Sequence, residues 1–281
     1  MTEPAGTSTA APSEGQGRMA VVDGIEGLQR SLGRLFVVVG VFDGLHLGHE
    51  YLLRELTRAA RLRDARPAVI TFDHHPDEIL TGKAPPLLCA PRERLQRLEA
   101  AGVAVTVVQT FDVALRETPY ETFVRRILDR VELSGFLMTP ESAFGFQREG
   151  TPDNVAALGR ELGYDVVLVP QHTLGGEPIR STDIRSAIAA GDLSTAERLL
   201  GRPFTMTGTS VPSDRDATRL AFELPLVLPP PGAYRVTTTV GTTSESGRLV
   251  VEADRVEIVP ALAVPPGTTM AVALAPSRSG A

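Results

Sequence analysis

The sequence predicts an α/β protein, a parallel β-sheet covered by helices, followed by a small antiparallel β-domain. Short apolar runs rich in β-branched residues alternate with segments of helical periodicity up to about residue 200. Beyond that point the helical signals stop, and Thr/Val-rich runs separated by Pro and Gly turns take over. A glycine-rich turn carrying two histidines follows directly on the first buried run. Parallel sheets bind ligands at such places, beyond the carboxyl ends of their strands.

Each element has its own signal. Residues 1–18 are rich in Ser, Thr, Ala, Pro and Gly and lack an apolar stretch behind a basic start. They are expected to form a disordered tail, not a secretory signal, with Met19 as an alternative start. Residues 36–39 (Phe-Val-Val-Val) read as a strand buried on both faces. Leu52, Leu53, Leu56 and Ala60 then recur at helical spacing through residues 50–63. A strand is expected at 68–72, a helix at 91–101 ending before Gly102, and a strand at 103–108. A helix at 122–131, a strand at 135–138, a helix at 154–162 stopped by Gly163 and a strand at 165–169 complete the alternation. Repeated β-α-β order means crossover units and parallel pairing. A last helix is expected to be capped by Ser181 or Thr182, to bury Ile184, Ala187 and Ile188, and to end at Gly191. After it, Ser194 and Glu197 have the spacing of a capping box. Strands of the second domain are expected at 233–239, 248–251, 255–259 and 268–274. The division is therefore a tail at 1–18, an α/β domain at 19–200 and a β-domain at 201–281.

Bulk composition narrows the function classes. The 281 residues carry a net charge of −6, which argues against a protein built to hold nucleic acid or an anionic membrane. There is no run of about 18 apolar residues, so no transmembrane helix is expected. Cys89 is the only cysteine, which excludes an intrachain disulfide and argues against a structural zinc site. A reducing, cytoplasmic setting follows. Lys83 is the only lysine, and the GxxxxGK[ST] loop is absent. Any phosphate site must then use arginine, histidine, hydroxyls and backbone amides.

Gly40-Val-Phe-Asp-Gly-Leu-His-Leu-Gly-His49 supplies several of these groups. Two histidines three apart, where a strand–loop becomes a helix, share one face at the helix N-terminus. The free amides and the positive end of the helix dipole point the same way. Gly40, Gly44 and Gly48 let backbone approach a phosphate closely. Phosphoryl and nucleotidyl transfer ask for positioning and for donors aimed at charge on phosphorus, which His46 and His49 suit. Zinc ligation is the weaker alternative, because HExxH spacing is absent and no cysteine helps.

Two further segments are candidates. Ser181, Thr182 and Arg185 form a hydroxyl-rich helix start with a cation one turn in, a seat for the β- and γ-phosphates of a nucleotide or a simple N-cap. Thr71-Phe-Asp-His-His-Pro76 lies at the carboxyl end of the second strand. Asp73 and His75 there form either a pocket wall for an acceptor substrate or a turn that stabilises the loop.

Taken in order, these segments resemble the bacterial FAD synthetases, usually bifunctional riboflavin kinase/FMN adenylyltransferases. The resemblance runs over residues 21–204 and includes Gly40 to His49, Thr71-Phe-Asp-x-His-Pro76, Phe111-Asp with Thr122-Phe-Val, Phe144-Gly145, Ser181-Thr-x-Ile-Arg185 and Leu-Gly-Arg-Pro-Phe204. It implies a Rossmann-like nucleotidyltransferase domain of the HxGH type that transfers AMP from MgATP to FMN and releases pyrophosphate. By that resemblance His46 and His49 stabilise the α-phosphoryl transition state, and Ser181, Thr182 and Arg185 hold the leaving phosphates. Gly40, Phe42, Asp43, Gly44 and Gly48 belong to the ATP side, and Asp73, His75, Glu141 and Phe144 to the acceptor side. Magnesium arrives with ATP, and no protein-held metal is expected.

The sequence departs from the family twice. The flavin-side segment, usually V-G-x-(D/N)-F-R-F-G, is Met138-Thr-Pro-Glu-Ser-Ala-Phe-Gly145. The kinase P-T-A-N stretch is replaced by Phe222-Glu-Leu-Pro-Leu226, so the β-domain is expected to lack riboflavin kinase activity. Two alternatives stay open: a relative acting on a different phosphorylated small molecule, and a non-catalytic nucleotide- or flavin-binding protein.

Overall fold

The computed structural model describes residues 18–275, so the expected tail falls outside the described residues except for Arg18. In chain order the first part holds β1 (Ala20–Asp23), β2 (Leu35–Val39), α1 (Leu47–Arg61), β3 (Arg66–Phe72), α2 (Pro76–Thr81), α3 (Pro91–Ala100) and β4 (Val105–Gln109). It continues with α4 (Val113–Arg116), α5 (Tyr120–Leu128), β5 (Leu133–Met138), α6 (Pro152–Leu162) and β6 (Asp165–Leu168). A small hairpin of β7 (Thr173–Leu174) and β8 (Glu177–Pro178) leads into α7 (Ser181–Ala189) and α8 (Leu193–Leu200).

The main sheet has the order β1-β4-β3-β2-β5-β6, and every pair in it is parallel. Alternate residues of β2 face opposite cores. Leu35 and Val37 join α5 and α6 through Phe123, Ile127, Val155 and Leu158. Phe36 and Val38 join α1 and α3 through Leu53, Leu56 and Leu98. Cover on both faces is the reason the strand reads as an unbroken apolar run. From β2 the chain builds outward through β3 and β4 on one side, then returns to place β5 on the other. The strand order therefore reverses between β2 and β5, and a crevice opens at their carboxyl ends.

Sequence reasoning overlooked β1. It is a four-residue strand at the sheet edge that alternates half-buried with exposed positions, and its apolar run, Met19-Ala-Val-Val22, follows directly on the segment read as a tail. The helix starts also moved. α1 begins at Leu47 because His46 caps it, three residues before the expected start. At α7 the cap position is Arg180, with no side-chain cap bond, and Ser181 is already helical. Asp192, not Ser194, caps α8 by accepting from the Thr195 amide.

The second part is a closed six-stranded antiparallel barrel. It comprises β9 (Thr205–Val211), β10 (Thr218–Ala221), β11 (Gly232–Val240), β12 (Thr243–Val251), β13 (Val256–Val259) and β14 (Thr269–Leu274). Ile184 and Ile188 of α7 and Leu193, Ala196 and Leu200 of α8 share one core with Phe204, Met206, Leu249 and Val272 of the barrel. Two backbone bonds, Leu87 N–H to the Pro225 carbonyl (2.8 Å) and Val227 N–H to the Leu87 carbonyl (2.9 Å), tie the loop before α3 to the barrel. Thr207 of β9 donates to the buried Glu93 carboxylate on α3 at 2.8 Å.

Candidate active site

The turn between β2 and α1 is held in an unusual backbone shape. Phe42 (φ 53°), Gly44 (φ 76°) and Leu45 (φ 37°) all lie in the left-handed region. Only Gly44 occupies it without steric cost, and a Cβ there would stand 2.8 Å from Leu88. Such a conformation persists only where its surroundings dictate it. Asp43, 2% exposed, accepts from the amides of Leu88 (2.9 and 3.0 Å) and Cys89 (3.3 Å). Arg185 of α7 adds an ion pair to the same carboxylate, Nη2 to Oδ2 at 2.7 Å, and Arg185 Nε donates to the Pro86 carbonyl at 2.9 Å. From the other side Arg202 donates to the carbonyls of Gly44 (2.5 Å) and Leu45 (3.1 Å). Arg94 holds the strand ends by donating to the carbonyls of Val41 (3.1 Å) and Phe72 (2.8 Å).

This frame presents the histidine pair. His46 caps α1, with Nδ1 accepting from the His49 amide at 3.4 Å, which leaves the ring proton on Nε2. The rings of His46 and His49 stack 3.8 Å apart, and Phe42 packs on the outer side of His49 at 5.0 Å. Burial, then the nearby charges of Arg202 and Arg185, lower the His46 pKa to about 4. Burial, then His46, holds His49 well below the usual histidine value. Both imidazoles are thus neutral N–H donors at neutral pH. The Nδ1 of His49 is sealed from solvent and has no partner among the described residues. Gly48 keeps the turn tight, since a Cβ there would meet the His46 ring at 3.1 Å.

A cavity of about 320 Å³ opens on the pair, lined by His46, Gly48, His49, Arg180 and Ser181 among others. Ser181 also donates to the Asp43 carbonyl at 3.3 Å, which sets the N-terminus of α7 against that of α1. A second cavity, about 150 Å³, lies beside the first at the end of β5 and is lined by Val39, Met138, Glu141, Ser142, Ala143, Phe144 and Arg148. Met138 faces one cavity and Thr139 the other, so consecutive residues separate them. No helix among the described residues is long and apolar enough to cross a membrane.

The candidates from sequence are thus distributed over distinct places. His46, Gly48, His49 and Ser181 meet at one cavity, and Glu141 and Phe144 at the other. Phe42, Asp43, Gly44 and Arg185 form the frame beneath the pair, and Gly40 donates to the Ile70 carbonyl at 3.0 Å where β2 ends. Thr182 is exposed on the first turn of α7 and lines neither cavity. Asp73 accepts from the Thr110 hydroxyl (2.8 Å) and the Phe111 amide (3.1 Å) and lines neither cavity. His75 caps α2 by accepting from the Asp77 amide at 3.2 Å, and burial lowers its pKa. Sequence reasoning missed Arg180, Arg202, Thr139 and the stacked pair Tyr51–His172. Arg202 lay in a matched Gly-Arg-Pro-Phe stretch, the one signal that could have flagged it. Thr139 lay in the altered 138–145 segment and Arg180 directly before the Ser181 motif, whereas Tyr51 and His172 carry no local pattern.

The chain is similar to known proteins over most of its length. The family described as FAD synthetase matches residues 28–183. A bifunctional riboflavin kinase/FMN adenylyltransferase of Haemophilus influenzae is 31% identical over 73% of this chain and 67% of its own length. Its Escherichia coli (strain K12) counterpart is 33% identical over 78% and 72%, and that of Listeria monocytogenes 30% identical over 66% and 60%. The crystal structure of a Streptococcus pneumoniae protein described as a macrolide-efflux protein superposes with a TM-score of 0.78 over 91% of this chain and 89% of its own. At 22% identity that likeness concerns the fold. By the family match and these relatives, the chain belongs to the FAD synthetase family.

Proposed function

We propose that this chain is an ATP-dependent nucleotidyltransferase that moves AMP from MgATP to FMN, making FAD and pyrophosphate, and that its barrel does not phosphorylate riboflavin. The observation that carries the reading is the stacked, neutral histidine pair at the N-terminus of α1, open to a cavity that also receives the N-terminus of α7. A triphosphate laid across the two helix starts meets amides and helix dipoles at both ends. His46 Nε2–H and a ring N–H of His49 donate to the α-phosphoryl oxygens as charge builds there. Ser181, at the cavity wall, takes the leaving phosphates. The FMN phosphate enters from the cavity at the end of β5, where Glu141 and Phe144 stand. Magnesium is part of the nucleotide substrate, where it neutralises phosphate charge. Loss of the P-T-A-N stretch at 222–226 supports an inactive kinase half, because the replacement Phe-Glu-Leu-Pro-Leu removes the hydroxyl and amide that would face a nucleotide.

The altered 138–145 segment favours one other reading, an acceptor other than FMN. Ser142 and Ala143 line the cavity where the family carries an aromatic residue and an arginine. Incubation with MgATP and either FMN or riboflavin, followed by chromatography, tests both. FAD from FMN alone is the expected result. FAD from riboflavin would refute the inactive barrel, and no FAD from FMN would turn the search to other phosphorylated acceptors.

A further inference from the structure

Four arginines stand around the histidine pair, and three are committed. Arg94 is buried and spends its charge on the carbonyls of Val41 and Phe72. Arg202 does the same with Gly44, Leu45 and Leu200. Arg185 is paired with Asp43 at 2.7 Å, so its charge is balanced within the frame. Arg180 differs from all three. It sits at the cap position of α7 in extended conformation, is exposed and lines the cavity of His46 and His49; its carbonyl accepts from the Asp183 and Ile184 amides, but its guanidinium has no hydrogen bond or ion pair among the described residues. Asp183, three residues on in the first turn, makes no ion pair with it.

A departing pyrophosphate is the most highly charged group this reaction produces, and with no lysine in the site its charge falls to arginine. A guanidinium also matches two phosphate oxygens at once, which a point charge cannot do. We propose that Arg180 contacts the leaving pyrophosphate, and that Arg185 is a positioning residue acting through Asp43 on the turn that carries His46. This deepens the adenylyl-transfer reading and rests on it for the identity of the leaving group.

The test is calorimetric titration of inorganic pyrophosphate and of AMP, each with magnesium, into the wild type, Arg180→Gln, Arg180→Lys and Arg185→Gln. Arg180→Gln is expected to weaken pyrophosphate by about 10- to 100-fold, as for loss of a charge-assisted pair, while AMP stays within about twofold. Arg180→Lys should fall between them. Arg185→Gln should lower kcat with KM for MgATP nearly unchanged, and Arg185→Lys should restore part of kcat. Unchanged pyrophosphate affinity in Arg180→Gln would overturn the assignment, as would selective loss of pyrophosphate binding in Arg185→Gln. Neither titrant contains flavin, so failure to form FAD would remove the acceptor proposed above without touching this result.

Discussion

At the scale of single residues, the histidine pair is set up for donation, not for charge. A cation at His46 would face Arg202 and Arg185 in a buried place, so the fold keeps the ring neutral. His46→Ala or His49→Ala should lower turnover by about 10²–10³, the cost of one lost transition-state donor. Circular dichroism should show the fold intact, although His46→Ala also removes a helix cap worth about 1 kcal/mol. Turnover near wild type in both variants would end the assigned role. The same burial predicts a pH dependence. The unfolded His46 takes up a proton below its ordinary pKa of 6.5, whereas the folded one resists until about 4. Stability is therefore fully present above pH 6.5 and is lost as pH falls toward 4, by roughly 3 kcal/mol from this residue. Urea midpoints at several pH values should fall across that window, and less steeply in His46→Gln.

At the scale of elements, the β2–α1 turn works only as part of a braced assembly. Asp43 is its centre, since one carboxylate satisfies two backbone amides and Arg185. Asp43→Asn should cost about 3–5 kcal/mol, as when one partner of a buried pair is removed. Gly44→Ala tests the backbone itself. The added Cβ meets Leu88 at 2.8 Å and the residue must keep φ at +76°. A loss of about 1–3 kcal/mol and a matching fall in activity are expected, measured by thermal unfolding and FAD formation. The Asp43 carboxylate also explains the lone thiol. Cys89 lies buried beside it, accepts from the Gly44 amide at 3.3 Å, and has its pKa raised to about 12 by burial and then by that charge. It is a packed side chain with no reactive thiolate.

At the scale of the whole molecule, the barrel is a structural extension of the catalytic half. α7 and α8 bury their apolar faces against barrel residues, and the loop holding Asp43 pairs with the barrel at Leu87. A chain ended after residue 200 would expose Ile184, Ile188, Leu193 and Leu200, which argues for marked destabilisation. Its thermal midpoint and FAD formation should both fall well below those of the full chain, and full activity in the short chain would show that the brace is unnecessary. The barrel therefore has a role in bracing the neighbouring site that does not depend on a substrate of its own.

The sequence determined by itself whatever is local and periodic. The unbroken apolar run of β2 required a sheet covered on both faces, and Gly40 to His49 required a tight turn into a helix N-terminus. The change to Thr/Val-rich runs after residue 200 required a β-domain, and the closed barrel answers to it. Tertiary structure decided what depends on residues far apart in the chain. Asp43 and Arg185 are 142 positions apart and Arg202 and Gly44 are 158, so no window of sequence contains either contact. Their geometry sorts the arginines into those that build the turn and the one left facing the cavity. Periodicity reports which face of an element is buried, but a buried charge is defined by its partner, and only the fold brings the partner in.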